Sequence, residues 1–166
     1  MADDQRVEFS PQLASAVGQV LNDTSKSLAD RFRALFTLRN IGGEIAIEAI
    51  TKCFADPSAL LKHELAYCLG QMGDTAAVPI LIGILRDTKQ EPMVRHEAGE
   101  ALGAIGDLSA LNTLREFISD PVTEVSETCQ IAINRIEWLQ NREANLKDSS
   151  PYKSVDPAPP SGNSVS

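Results

Sequence analysis

His63-Glu64-Leu65-Ala66-Tyr67-Cys68-Leu69-Gly70-Gln71-Met72-Gly73-Asp74 returns 33 residues later as His96-Glu97-Ala98-Gly99-Glu100-Ala101-Leu102-Gly103-Ala104-Ile105-Gly106-Asp107. The two phrases share His-Glu at the start, Leu-Gly in the middle and Gly-Asp at the end, and a period of this length is that of a helical repeat array. Weaker copies flank them. Upstream, Phe32-Arg33-Ala34-Leu35-Phe36-Thr37-Leu38-Arg39-Asn40-Ile41-Gly42 keeps the Leu and the Gly; downstream, Glu127-Thr128-Cys129-Gln130-Ile131-Ala132-Ile133-Asn134-Arg135-Ile136 keeps the apolar positions. The steps are 31 residues from Leu38 to Leu69, 33 from Leu69 to Leu102, and 31 from Ile105 to Ile136. Four such units predict an all-α, HEAT-repeat-like α-solenoid of about four helix pairs.

Each unit reads as two helices. Pro57-Ser58 opens one that carries Leu61, Leu65, Cys68, Leu69 and Met72 on one stripe. Gly73 is placed to end it in the left-handed region, and Asp74 to cap a second helix over residues 76–86. The next unit opens at Glu91-Pro92, turns at Gly106-Asp107 and is expected to carry Leu111, Leu114 and Ile118 on its second helix. The last starts at Asp120-Pro121 and is expected to reach residue 146, and a helix near residues 11–21 should cap the front. The expected organisation is an amino-terminal segment with this capping helix (residues 1–25), four repeats (residues 26–148) and a disordered Pro/Ser-rich tail (residues 149–166).

Composition agrees with close helix stacking. Hydrophobic residues make up 43% of the chain but aromatics only 5%, so Ala, Leu, Ile and Val must fill the core. Cys53, Cys68 and Cys129 form no Cys-x-x-Cys unit and suit reduced core positions. No apolar run approaches the roughly 20 residues that span a bilayer, and no signal pattern opens the chain. A soluble cytoplasmic protein is expected. The formal charge of −8 disfavours nucleic acid and anionic membrane as partners and leans towards a cationic one. Asn22-Asp23-Thr24 matches a glycosylation sequon, which without export is inert.

His63 and His96 are the chain's only histidines. Neighbouring residues on a helix diverge by about 100°, so His63 and Glu64 are not placed to grip one ion together. Equivalent residues on stacked helices, with axes about 8–10 Å apart, can meet. His63 and His96 could therefore share an ion while Glu64 and Glu97 serve a second metal, a water or a cationic substrate. Two histidines with carboxylates and no thiolate suit non-haem iron, with zinc the rival. The plainer reading is a pair of half-buried histidines beside solvated acids, copied with the repeat. Gly70 and Gly103 inside helices imply either tight helix packing or room for a ligand, and Tyr67 and Met93 suit core packing better than a pocket.

The two His-Glu phrases, extended back through Leu60-Leu61-Lys62 and Gln90-Glu91-Pro92-Met93-Val94-Arg95, closely resemble the deoxyhypusine hydroxylase family, and its amino-terminal half only. Arg31-Phe32-Arg33-Ala34-Leu35-Phe36-Thr37-Leu38-Arg39 and Ser154-Val155-Asp156-Pro157-Ala158-Pro159-Pro160 are similar to the same family, and the match covers about residues 26–160. The resemblance implies a HEAT-repeat monooxygenase that uses molecular oxygen to hydroxylate the deoxyhypusine side chain of translation initiation factor 5A at a centre of two Fe2+ ions. It implies His63, Glu64, His96 and Glu97 as metal residues: the histidines on one iron, Glu64 reaching to the other, Glu97 bridging, behind a ligand, or facing the substrate amine. Glu64 and Glu97 are thus the carboxylates expected to serve the chemistry. The family has two further His-Glu pairs that this sequence lacks, as a truncated or spliced product would. A homodimer completing the metal site would restore activity; the alternative is an inactive half-length binding module.

Overall fold

The computed structural model describes residues 11–141. Eight α-helices follow one another: α1 (Pro11–Asn22), α2 (Leu28–Ile41), α3 (Gly43–Cys53), α4 (Ala59–Met72), α5 (Val78–Arg86), α6 (Pro92–Ile105), α7 (Leu111–Glu116) and α8 (Thr123–Asn141). No strand occurs among the described residues. The helices form two rows. In one, α4 packs between α2 and α6, and α6 in turn packs on α8; in the other, α1 packs on α3, with α5 and α7 beyond. This is the α-solenoid that the repeat spacing predicts, and α1 opens it as expected. The tail over residues 149–166 and the extension of the last helix to residue 146 lie outside the described residues.

The helix boundaries follow from local chemistry. Ser58 Oγ accepts from the Leu61 amide at 3.2 Å, and Ser27 Oγ from the Asp30 amide at 3.1 Å, satisfying amides that would otherwise lack a partner. Gly73 (φ 66°) and Gly106 (φ 78°) end α4 and α6 in the left-handed region that a Cβ disfavours. Asp74 and Asp107 then accept from the amides two residues on, at 2.9 and 2.8 Å. Each starts a single 3-10 turn, Thr75–Ala77 or Leu108–Ala110, before the next α-helix begins.

Two expectations differ from the structure. The sequence phrase pairs α4 with α5, yet α5 packs chiefly against the α6 that follows it, and α7 against α8. A periodic pattern defines the period and leaves the phase open. In addition, α7 ends at Glu116, so Ile118 falls outside the helix and is 44% exposed. Phe117 caps α7, and its ring lies under the Arg95 guanidinium, 5.5 Å from centroid to carbon.

The core runs between the rows. Leu35, Leu38, Leu65, Leu69, Leu102 and Ile136 are fully buried on the first row, against Ile50, Leu81, Leu85 and Leu114 of the second. Small residues let the first row close up: a Cβ on Gly70 would lie 2.9 Å from Ala101 Cα, and one on Gly103 would lie 2.9 Å from Ala132 Cα. Tight packing is therefore the role of both glycines. Gly83, inside α5, has nothing within 4 Å of such a Cβ. Gly83→Ala should raise stability by about 0.5–1 kcal/mol through helix propensity alone, measurable by urea denaturation.

A basic residue at the start of each first-row helix ties successive repeats together. Arg31 Nε donates to the Leu21 carbonyl at 2.8 Å and its guanidinium meets Asp56 at 2.8 Å. Arg95 repeats the arrangement, donating to the Leu85 carbonyl at 2.9 Å and pairing with Asp120. On α4, Lys62 Nζ reaches Glu91 and Gln90, each at 2.8 Å. Two of these cations, Lys62 and Arg95, immediately precede the two histidines, so the ladder that registers the repeats also fixes the start of the helices bearing the His-Glu pairs.

Cys53, Cys68 and Cys129 are buried and unbridged. Burial pushes the thiols of Cys68 and Cys129 up to about 12, which makes them inert packing groups.

Candidate metal centre

His63 and Glu64 sit on α4, and His96 and Glu97 on the adjacent α6. His63 Nε2 meets Glu97 Oε2 at 3.0 Å, across the interface that Gly70 and Ala101 hold close. The other ring nitrogen, Nδ1, lies 3.3 Å from Glu64 Oε1. Neighbouring residues on α4 thus touch after all, through the back of the ring and not by facing a common point. Glu97 is the buried member of the group, with a side chain 7% exposed. Burial pushes its carboxyl up, the charge of His63 opposes that, and Glu100 adds to it. A buried carboxylate needs a cationic partner, and His63 supplies one here.

His96 is anchored from the next repeat. Its Nδ1 lies 3.1 Å from the Glu124 carbonyl of α8. A carbonyl only accepts, so the proton resides on Nδ1 and the Nε2 lone pair is left for a ligand. Nε2 faces Glu100, one turn along α6, at 3.5 Å from Oε2. Among the described residues, His96, Glu97 and Glu100 bring one donor atom each to within 4.8 Å of one another. His63 joins this cluster through Glu97. Glu64 does not belong to it, and the ring nitrogens of His63 and His96 are not gathered into one such group.

Glu100 had been legible only as surface charge. The signal that could have found it is the i, i+4 spacing in His96-Glu97-Ala98-Gly99-Glu100, which puts His96 and Glu100 on one helix face. Tyr67 occupies the matching place in α4. Tyr67 and Met93 are 37% and 43% exposed, which overturns their assignment to core packing; Tyr67 instead lines a shallow groove between α4 and α6 beside Glu97 and Glu100. A wider groove of about 160 Å³ runs between α6 and α8, lined by His96, Glu100, Glu124, Glu127, Thr128 and Ile131. The flanking repeats carry no equivalent of the site: Phe32 stacks on Phe36 in α2, and Glu127-Thr128 stands in α8.

A stacked array of helix pairs with a nitrogen-and-carboxylate cluster on one row defines the class. The HEAT-repeat pattern matches residues 14–91 and 47–134, and the chain belongs to that family. Within it, the chain is 63% identical over 146 residues to deoxyhypusine hydroxylase of Gallus gallus, an alignment covering 88% of this chain and 48% of that protein. It is 59% identical over 151 residues to deoxyhypusine hydroxylase of Drosophila melanogaster, covering 91% and 50%. The solved structure of human deoxyhypusine hydroxylase in complex with glycerol superposes with a TM-score of 0.84 at 59% identity, covering 92% of this chain and 52% of that one. The chain spans about half the length of the curated relatives it matches.

Proposed function

We propose that this chain provides one half of the metal site of a monooxygenase that hydroxylates the deoxyhypusine side chain of translation initiation factor 5A. The similarity to deoxyhypusine hydroxylases over about nine-tenths of the chain carries the reading. The donor set fits the iron that the family implies: imidazole and carboxylate from α4 and α6, without thiolate, and with His96 already in the tautomer that presents Nε2. His63, His96 and Glu97 would hold one Fe2+, and Glu64, on the outer side of the His63 ring, would reach towards a second. When bound, ferrous iron supplies the activation of dioxygen that hydroxylating an unactivated carbon requires.

The protein's own part is positioning. Glu97 holds the α4 imidazole from the neighbouring repeat, and the Glu124 carbonyl fixes the α6 imidazole from the far side. Glu100, Glu124 and Glu127 along the α6–α8 groove offer negative charge to a long cationic side chain, while Ile131 offers an apolar wall to its methylenes. Two copies facing each other would supply both irons, each giving its histidines to one and its Glu64 to the other, a two-fold arrangement.

The test is turnover by the chain itself. The chain, loaded with Fe2+ without oxygen and given deoxyhypusine-bearing factor 5A, should on aeration add one oxygen atom to the substrate. Mass spectrometry reads the gain, and light scattering should show a dimer. His63→Ala and His96→Ala should abolish the gain. Substrate binding that persists in both variants, with no oxygen incorporated by the unaltered chain, would sink the enzyme reading and establish a binding module.

A further inference from the structure

We infer that one copy of this chain holds a divalent cation by itself, with Glu100 as a ligand beside His96. The hydroxylase reading draws the remaining carboxylate of each iron from a second half. The geometry on α6 offers a carboxylate without one. His96 and Glu100 are one turn apart on the same face, and the Nε2 lone pair, left bare by the Nδ1 contact to the Glu124 carbonyl, points at Glu100 Oε2 from 3.5 Å. Glu97 adds an oxygen within 4.8 Å of both, and His63 braces Glu97 at 3.0 Å.

The distances are those of a site closed by small rotations. Ligand atoms about 2.1 Å from one ion lie at most about 4.2 Å apart. The buried Glu97 is fixed, whereas the Glu100 side chain, 39% exposed, is free to close the remaining few tenths of an ångström. One imidazole nitrogen and two carboxylates, with a second imidazole adjoining, suit Fe2+, Mn2+, Co2+ or Zn2+ better than Ca2+. A plain surface pair on α6 would explain the contact between His96 and Glu100. It would not explain why the buried Glu97 lies beside both.

The inference stands apart from hydroxylation, and its test needs none. The full chain is titrated with Co2+, and with Fe2+ under anaerobic conditions, at concentrations where native mass spectrometry shows a monomer. One ion should bind per chain, with visible Co2+ bands that include a nitrogen ligand. His96→Ala should remove binding, and Glu100→Gln should weaken it at least 10-fold. Glu48→Gln on α3, which removes the same charge far from the cluster, should match the unaltered chain. Circular dichroism confirms that each variant is folded. Uptake confined to dimers, no uptake at all, or equal affinity in Glu100→Gln would each overturn the assignment. A monomer that binds one ion through Glu100 yet never hydroxylates factor 5A would uphold it while sinking the enzyme reading.

Discussion

Arg95→Met is expected to destabilise the chain by about 3–5 kcal/mol, the cost of leaving a buried charge without its partner. Arg95 and Asp120 have side chains that are each 4% exposed. Removing the guanidinium would strand the Asp120 carboxylate, leave the Leu85 carbonyl without the donor now 2.9 Å away, and bare one face of Phe117. Replacing both partners, Arg95→Met with Asp120→Leu, should cost markedly less, because no lone charge then remains buried. Urea denaturation of the three variants reads the difference. A single variant as stable as the unaltered chain would show that the ladder is ornamental.

The same pair sets a dependence on pH. The hydrogen-bonded Arg95 guanidinium holds the Asp120 carboxyl below its ordinary value, against the opposing effect of burial. At Asp56, burial raises the carboxyl, but the Ser58 amide and Arg31 together outweigh it and leave it lowered. A carboxyl lowered on folding contributes stability above its unfolded pKa, near 4, and loses it as pH falls through the folded value. The chain should therefore weaken on acidification below about pH 4. Arg95→Met should flatten that dependence, so the gap between variant and unaltered chain narrows in acid.

The parts of the fold that repeat were legible, and the parts that bind one repeat to another were not. The steps between Leu38, Leu69 and Leu102, the Gly73 and Gly106 stops and the Ser58 cap act within one or two turns, so local order in the sequence exposes them. Arg95 and Asp120 are 25 residues apart, and Arg31 finds Leu21 and Asp56 on opposite sides of it in the chain. Each of these cations could equally have been a solvated surface residue. At the site, the recurrence of His-Glu marked both histidines but hid what distinguishes them. His63 leans on the buried Glu97, whereas His96 is anchored by a backbone carbonyl, a group that is present in every sequence and marks none. Glu100 was missed because it lies outside the repeated phrase: Tyr67 fills its place in the other copy.

Gly70→Ala is expected to destabilise the chain by about 1–3 kcal/mol, although alanine is the better helix former. Propensity favours the substitution by about 1 kcal/mol. Against this, the new Cβ would stand 2.9 Å from both Cα and Cβ of Ala101. Backbone cannot rotate aside, so α4 and α6 must separate. Gly83→Ala, which meets nothing within 4 Å, measures the propensity gain alone, and the difference between the two variants isolates the clash. Adding Ala101→Gly to Gly70→Ala should recover only part of the loss, because Ala101 Cα is as close as its Cβ. The site should feel the same separation. Gly70 lies two turns along α4 from His63, and the 3.0 Å contact from His63 to Glu97 crosses the same interface. Gly70→Ala should therefore weaken metal binding through Glu97 while leaving every donor in place. If the variant were destabilised yet bound the ion with unchanged affinity, the spacing of α4 and α6 would not govern the cluster, and the contact from His63 to Glu97 would be incidental to it.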